Sequence, residues 1–101
     1  MKYKTLSAAL LLGAASVAGT AAAESRISGE MMANSCAPCH GTYGHLEDDY
    51  MQPLAGMSKE NFIRGMKAFK EGTRPATIMD RVAKGFSDEE IEAMAEFYAK
   101  Q

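Results

Sequence analysis

The residues able to do chemistry lie together near one third of the way along the chain. Cys36-Ala37-Pro38-Cys39-His40 is a C-x-x-C-H sequence, the spacing of covalent haem attachment. Two thiols three positions apart add to the two vinyl groups of one haem and make two thioethers. The next residue, His40, is then held as an axial ligand of the iron. Three other uses of these residues fit less well. A thioredoxin-like redox pair wants a βαβ pattern around it, and no strand alternation is visible in this sequence. A disulfide between Cys36 and Cys39 would close a tiny, strained loop. A zinc site would need Cys36, Cys39, His40 and His45 together, and the adjacent Cys39 and His40 make a poor tetrahedral set.

Haem iron takes a sixth ligand. The eligible side chains are Met31, Met32, Met51, Met57, Met66, Met79, Met94 and His45. The ligand has to come from the face opposite His40, so it is expected far along the chain and in a loop. Met31 and Met32 precede the cysteines on one predicted helix. Met66 and Met94 fall in apolar helix stripes, where methionine fills core space. His45 is too close to His40 to reach round and is expected at the surface. Met79, in the irregular stretch before the last helix, is the first choice, and Met57 the second. A His/Met pair favours Fe(II), raises the potential and leaves no coordination position open. That chemistry moves single electrons and transforms no substrate.

The elements that must position these side chains read as helices throughout. The first is predicted over Ile27 to Ser35, with Ser25 or Ser28 as N-cap. A loop follows from Gly41 to Gly56. The second helix is predicted to start at Ser58, with Phe62, Ile63, Met66 and Phe69 as one apolar stripe and Gly72 as its stop. The third starts at Ser87, where Ser87 and Glu90 fit a capping box and Asp88 and Glu89 suit the positive end of the helix dipole. Its buried face is Ile91, Met94, Ala95 and Tyr98, flanked by Phe97. Thr73 to Phe86 is expected to be irregular. Three to four short helices bury little among themselves, so a large flat apolar group among them would complete an all-α core.

The chain has 101 residues, which allows one small domain and excludes a large enzyme fold such as an eight-stranded α/β barrel. Its net charge of −2 gives no basic field for nucleic acid. Two cysteines cannot make a disulfide scaffold, and a core of this size usually needs a metal, a cofactor or a partner. Lys2 and Lys4, the apolar run Leu6 to Val17 and the small residues Ala21-Ala22-Ala23 have the layout of a secretory signal. Residues 1–23 are therefore expected to be cleaved and residues 24–101 to form one monohaem domain, periplasmic and without a membrane span. Charge within that domain is segregated: residues 24–57 carry −4, residues 58–86 carry +4 and residues 87–101 carry −4. The basic middle places Arg74, Arg81 and Lys84 near Met79, and Lys67 and Lys70 at the C-terminal end of a helix, where cations offset the dipole.

The arrangement resembles class I c-type cytochromes. The resemblance rests on Cys36 to Gly41, on Met79, and on Phe86-Ser87-Asp88-Glu89-Glu90-Ile91, and it covers essentially all of residues 24–101. It implies a small cytochrome c fold of three to four short helices around one covalent haem c. It also implies a crossing of the first and last helices, with Gly29 and Met32 against Phe97 or Tyr98. The stretches Gly29 to Thr42, Ala68 to Gly72 and Thr77 to Ser87 are similar to the haem subunit of flavocytochrome c sulfide dehydrogenases. That likeness implies a flavoprotein partner that oxidises sulfide and passes electrons to the haem. A free-standing soluble electron shuttle to an oxidase or reductase is the alternative. One departure concerns the wider family's Pro-x-Leu-x-Gly, whose Pro carbonyl accepts from the proximal His. Leu54 and Gly56 match, but Gln52 stands at the Pro position and Pro53 one later. The carbonyl that orients His40 is left open between them.

Overall fold

The computed structural model describes residues 27–48 and 50–101. The expected signal peptide, its cleavage point and the alternative cap Ser25 lie outside them. Ser28 opens α1 (Gly29–Ala33): its hydroxyl accepts from the Met31 N–H at 3.1 Å, satisfying one donor that a helix N-terminus leaves free. The chain then tightens into a 3₁₀ turn, Asn34–Cys36, and resumes as α2 (Ala37–His40). The first helix therefore starts later than the expected Ile27 and carries helical backbone past Ser35 to His40. The break accommodates Pro38, which sits in the first turn of α2, where its missing N–H is no loss.

A loop with one 3₁₀ turn, Thr42–Gly44, leads to α3 (Lys59–Glu71). Ser58 caps α3 by accepting from the Asn61 N–H at 3.2 Å. Gly72, at φ 76°, ends it in the left-handed conformation that a side chain resists. The last helix, α5 (Asp88–Ala99), has both halves of its capping box: the Glu90 N–H donates to Ser87 Oγ at 3.2 Å, and the Ser87 N–H donates to Glu90 Oε2 at 2.8 Å. Each of these boundaries agrees with the sequence.

The stretch Thr73 to Phe86 does not stay irregular. It contains α4 (Met79–Lys84), whose N-cap Ile78 makes no side-chain capping bond. Six residues without a cap do not form a helix alone in water. Packing against α3 and full burial of Ala83 hold this one together. Sequence pattern misses such a helix because its stabilisation is tertiary.

The core is one cluster. Phe62 and Met66 of α3, Ala83 of α4, and Ile91, Met94, Ala95 and Tyr98 of α5 are buried with Met32, Ala33 and Leu54. The α3 stripe and the α5 face are those the periodicity predicts. The rings of Phe62 and Tyr98 stack at 5.5 Å, and Phe97 meets Tyr98 edge-on at 5.3 Å. The first and last helices do cross, and the nearest residue to Gly29 is Ala93. Gly29 lies against the backbone of Ala93, so closely that a Cβ at Gly29 would collide with the Ala93 carbonyl oxygen. Tyr98 instead reaches the end of α1, donating its buried hydroxyl to the Ala33 carbonyl at 2.7 Å. Ion pairs tie the helix ends from outside. Lys59 meets Glu96 at 2.8 Å, while Lys67 and Lys70 meet Asp88 at 3.6 and 3.5 Å. Lys70 also donates to the Phe86 carbonyl at 2.7 Å. The cations expected to serve the dipole of α3 thus also clamp α3 to the start of α5. Among the described residues, no helix is long and apolar enough to cross a membrane.

Candidate functional site

The attachment motif is built where a helical turn stops. Cys36 ends the 3₁₀ turn, and Cys39 and His40 end α2 before Gly41 turns the chain away at φ 85°. Cys36 is half-buried and Cys39 exposed. Burial pushes the Cys36 thiol above its ordinary pKa, with hydrogen bonding to Tyr98 and Ser35 opposing the shift.

His40 is fixed by the loop that faces it. Its Nδ1 lies 2.6 Å from the Gln52 carbonyl oxygen. A carbonyl only accepts, so Nδ1 carries the proton and Nε2 keeps its lone pair for a metal. The doubt between Gln52 and Pro53 is resolved: the residue at the family's Pro position does the work through its backbone, which needs no proline ring. Gln52 is held in turn by its neighbours. The Leu54 and Ala55 N–H groups donate to the Gly44 carbonyl at 2.9 and 3.1 Å, and the Gly56 N–H donates to the Tyr98 carbonyl at 2.8 Å.

One cavity gathers the predicted residues. Cys36, Cys39 and His40 line it together with Met79, which enters from the first residue of α4 instead of from a loop. Its base is apolar, formed by Leu54, Phe62 and Met66. Met57, the second choice for the axial position, lines the same cavity, as does Met51. Met94 is fully buried in the core, and Met31 and His45 are at the surface, so none of these three competes. No acidic side chain lines the cavity among the described residues. Nor do these residues include a group of three or more His, Cys, Asp or Glu placed to hold a bare metal ion. An apolar slot with two thiols, an imidazole presenting Nε2 and a thioether fits a flat macrocyclic iron group and suits neither zinc nor a dithiol redox pair. Arg74, expected near Met79 from the charge pattern, lines the slot with it, as do Asn61 and Ile78, which the sequence did not mark. For Arg74 the available signal was the stop at Gly72, which folds the following residues back onto α3.

The chain is 36% identical over 87 residues to cytochrome c-554(548) of Halomonas halodenitrificans, a match that covers 83% of this chain and 99% of that protein. The chain belongs to the c-type cytochromes. It is an electron-transfer protein of that family. The cytochrome is also 40% identical over 70 residues to the "Cytochrome subunit of sulfide dehydrogenase" of Chlorobaculum tepidum, covering 69% of this chain and 63% of that one. A third relative is the "Thiosulfate dehydrogenase electron acceptor" of Stutzerimonas stutzeri, 36% identical over 67 residues, 63% of this chain and 31% of that one. The cytochrome therefore spans less than two thirds of the length of these last two relatives. No family model matches the chain.

Proposed function

We propose that this cytochrome is exported to the periplasm after cleavage at residue 23 and carries one haem c, bound covalently through Cys36 and Cys39. In this reading His40 and Met79 are the axial ligands, and the electrons come from a flavoprotein subunit that oxidises sulfide. The haem, when bound, supplies a one-electron Fe(III)/Fe(II) couple. The chain's own residues set the terms of that couple. The Gln52 carbonyl fixes the His40 tautomer and strengthens its donor atom. The Met79 thioether favours the reduced iron, and Leu54, Phe62 and Met66 keep water from the site. The observation that carries the reading is the convergence of Cys36, Cys39, His40 and Met79 on one apolar cavity.

The sulfide-linked partner is supported by the name of the Chlorobaculum relative. The near-complete coverage of the Halomonas cytochrome favours the second reading, a free-standing shuttle to an oxidase or reductase. One experiment separates them. The exported protein is purified under mild conditions, its alkaline pyridine spectrum is recorded, and sulfide is added. A thioether-linked haem spectrum, a copurifying flavoprotein and sulfide-driven reduction of the haem are expected. A haem protein that purifies alone and is not reduced by sulfide would favour the shuttle. Retention of covalent haem in Cys36→Ala/Cys39→Ala would overturn the attachment.

A further inference from the structure

The haem cavity opens between two walls that carry opposite charge. One wall is the loop whose Gln52 carbonyl meets His40, and Glu47 and Asp48 are exposed on that loop. The other is α4, which gives Met79 and Val82 to the cavity and carries Arg81 and Lys84 exposed, one turn apart. None of these four charged side chains makes an ion pair with a described residue. Lys59, Lys67 and Lys70 of α3, by contrast, are all engaged by acidic side chains of α5.

Between the two walls the surface is apolar. Tyr50 is 93% exposed at the cavity, where Met51 and Ile78 are exposed with it. Tyr50 and Met51 also line an open depression on the outer side of the loop, together with Leu46 and Pro53. The loop holds its acid and its ring in one fixed turn, because the Tyr50 N–H donates to Asp48 Oδ1 at 2.9 Å.

A face with an acidic wall, an apolar centre and a basic wall is complementary to itself after a half-turn. A second copy rotated about an axis through the centre sets the acidic wall of each copy against the basic wall of the other. Tyr50, Met51 and Ile78 of both copies then meet in the middle, and tyrosine and methionine are residues that interface centres favour. We propose that this face binds a second copy of the chain and gives a two-fold dimer with the cavity mouths together. Charge selects the orientation: residues 24–101 are net acidic, so two copies repel unless unlike walls meet. The apolar centre is only a few side chains wide, so the dimer is small and transient. A redox partner that uses Arg81 and Lys84 competes with the second copy for the same wall. The proposal rests on the haem reading above and deepens it. Joined in this way, two chains present two one-electron sites in one particle, which matches the two electrons released when sulfide becomes zero-valent sulfur.

The haem-loaded exported protein tests this by sedimentation velocity, at concentrations up to about 1 mM. Two charge variants are compared with wild type. Arg81→Glu/Lys84→Glu makes both walls acidic. Glu47→Lys/Asp48→Asn removes the acidic wall, and the Asn amide oxygen still accepts from the Tyr50 N–H. Wild type is expected to dimerise at low salt and to separate in 0.5 M salt, where the Debye length is about 4 Å. Each variant alone should stay monomeric, and an equimolar mixture of the two should restore a dimer, because unlike walls meet again. Tyr50→Ser, which changes no charge, should raise the dimer dissociation constant about tenfold. A wild type that stays monomeric at low salt overturns the proposal, as does a dimer that survives in either charge variant or a mixture that stays monomeric. A monomeric wild type whose redox partner is lost on charge reversal at Arg81 and Lys84 gives the face to that partner, which also overturns it. If one charge variant fails to acquire haem, the other variant and Tyr50→Ser carry the test, and wild-type dimerisation in both counts against the proposal. A salt-sensitive dimer that sulfide does not reduce supports this face and sinks only the sulfide-linked reading.

Discussion

The His40 Nδ1–H donates to the Gln52 carbonyl across 2.6 Å. The bond belongs to the backbone of residue 52, and among the described residues the Gln52 N–H makes no backbone bond in the turn that holds the loop. Gln52→Pro should therefore keep the haem, the axial pair and the potential of the wild type. Absorption spectra and redox titration of the variant check this; loss of the low-spin spectrum would show that the Gln52 side chain or N–H does more than supply a carbonyl.

Met79 and Met57 share one cavity, so the two are separated by substitution. Met79→His should retain covalent haem, lose the weak red band of thioether-ligated ferric iron, and lower the potential by on the order of a hundred millivolts or more, given the reach of axial ligands over redox potential. Met57→His should leave the band intact. The opposite pattern would move the axial role to Met57.

The contact of Gly29 with the Ala93 backbone leaves no room for a side chain. Gly29→Val should destabilise the holo-protein by about 1–3 kcal/mol, the ordinary cost of overpacking, seen as a lower denaturant midpoint. Ala93 meets this residue through its backbone, so shrinking a partner side chain cannot relieve the clash. A stability equal to wild type would show that α1 and α5 slide apart freely.

Tyr98 gives the fold an alkaline limit. Burial, and then the nearby Cys36, raise its pKa above the ordinary phenol value. The folded state therefore keeps a proton that the unfolded chain loses above about pH 10. The contribution is complete below that pH and declines as pH rises through it towards the folded value. Tyr98→Phe should cost about 1 kcal/mol at neutral pH, from the lost bond to the Ala33 carbonyl, and should flatten the decline in stability above about pH 10. Chemical denaturation across pH measures both. An unchanged alkaline slope would place the limit elsewhere.

Arg81 and Lys84 are exposed on the same helix that starts with Met79. Tyr50, Met51 and Ile78 are exposed at the margin of the cavity. A redox partner with an acidic patch is expected to dock on this face, where electrons have the shortest path to the haem edge. Neutralising Arg81 and Lys84 together should slow association most at low salt. At 0.5 M salt, where the Debye length is about 4 Å, the difference from wild type should vanish. Equal association rates at low salt, with haem content and potential unchanged, would leave these charges as a solvated face.

What the sequence determined by itself was chemistry that depends on local spacing. C-x-x-C-H points to a haem because a thioether pair would need that interval, and Ser58, Gly72, Ser87 and Glu90 mark helix ends because capping is made within one turn. The apolar faces of α3 and α5 were likewise legible, since burial follows the helical period. Tertiary structure alone decided the rest. It chose the Gln52 carbonyl for His40, because that choice depends on how a twelve-residue excursion returns to α2. It made Met79 the start of a helix, because Ala83 gains its burial only against α3. It set Gly29 against Ala93, because backbone approach there depends on the absence of a side chain and on the register of two helices more than sixty residues apart. And it turned Arg74 back over Phe69: the stop at Gly72 was legible, but the ring on which the reversed side chain lands was not.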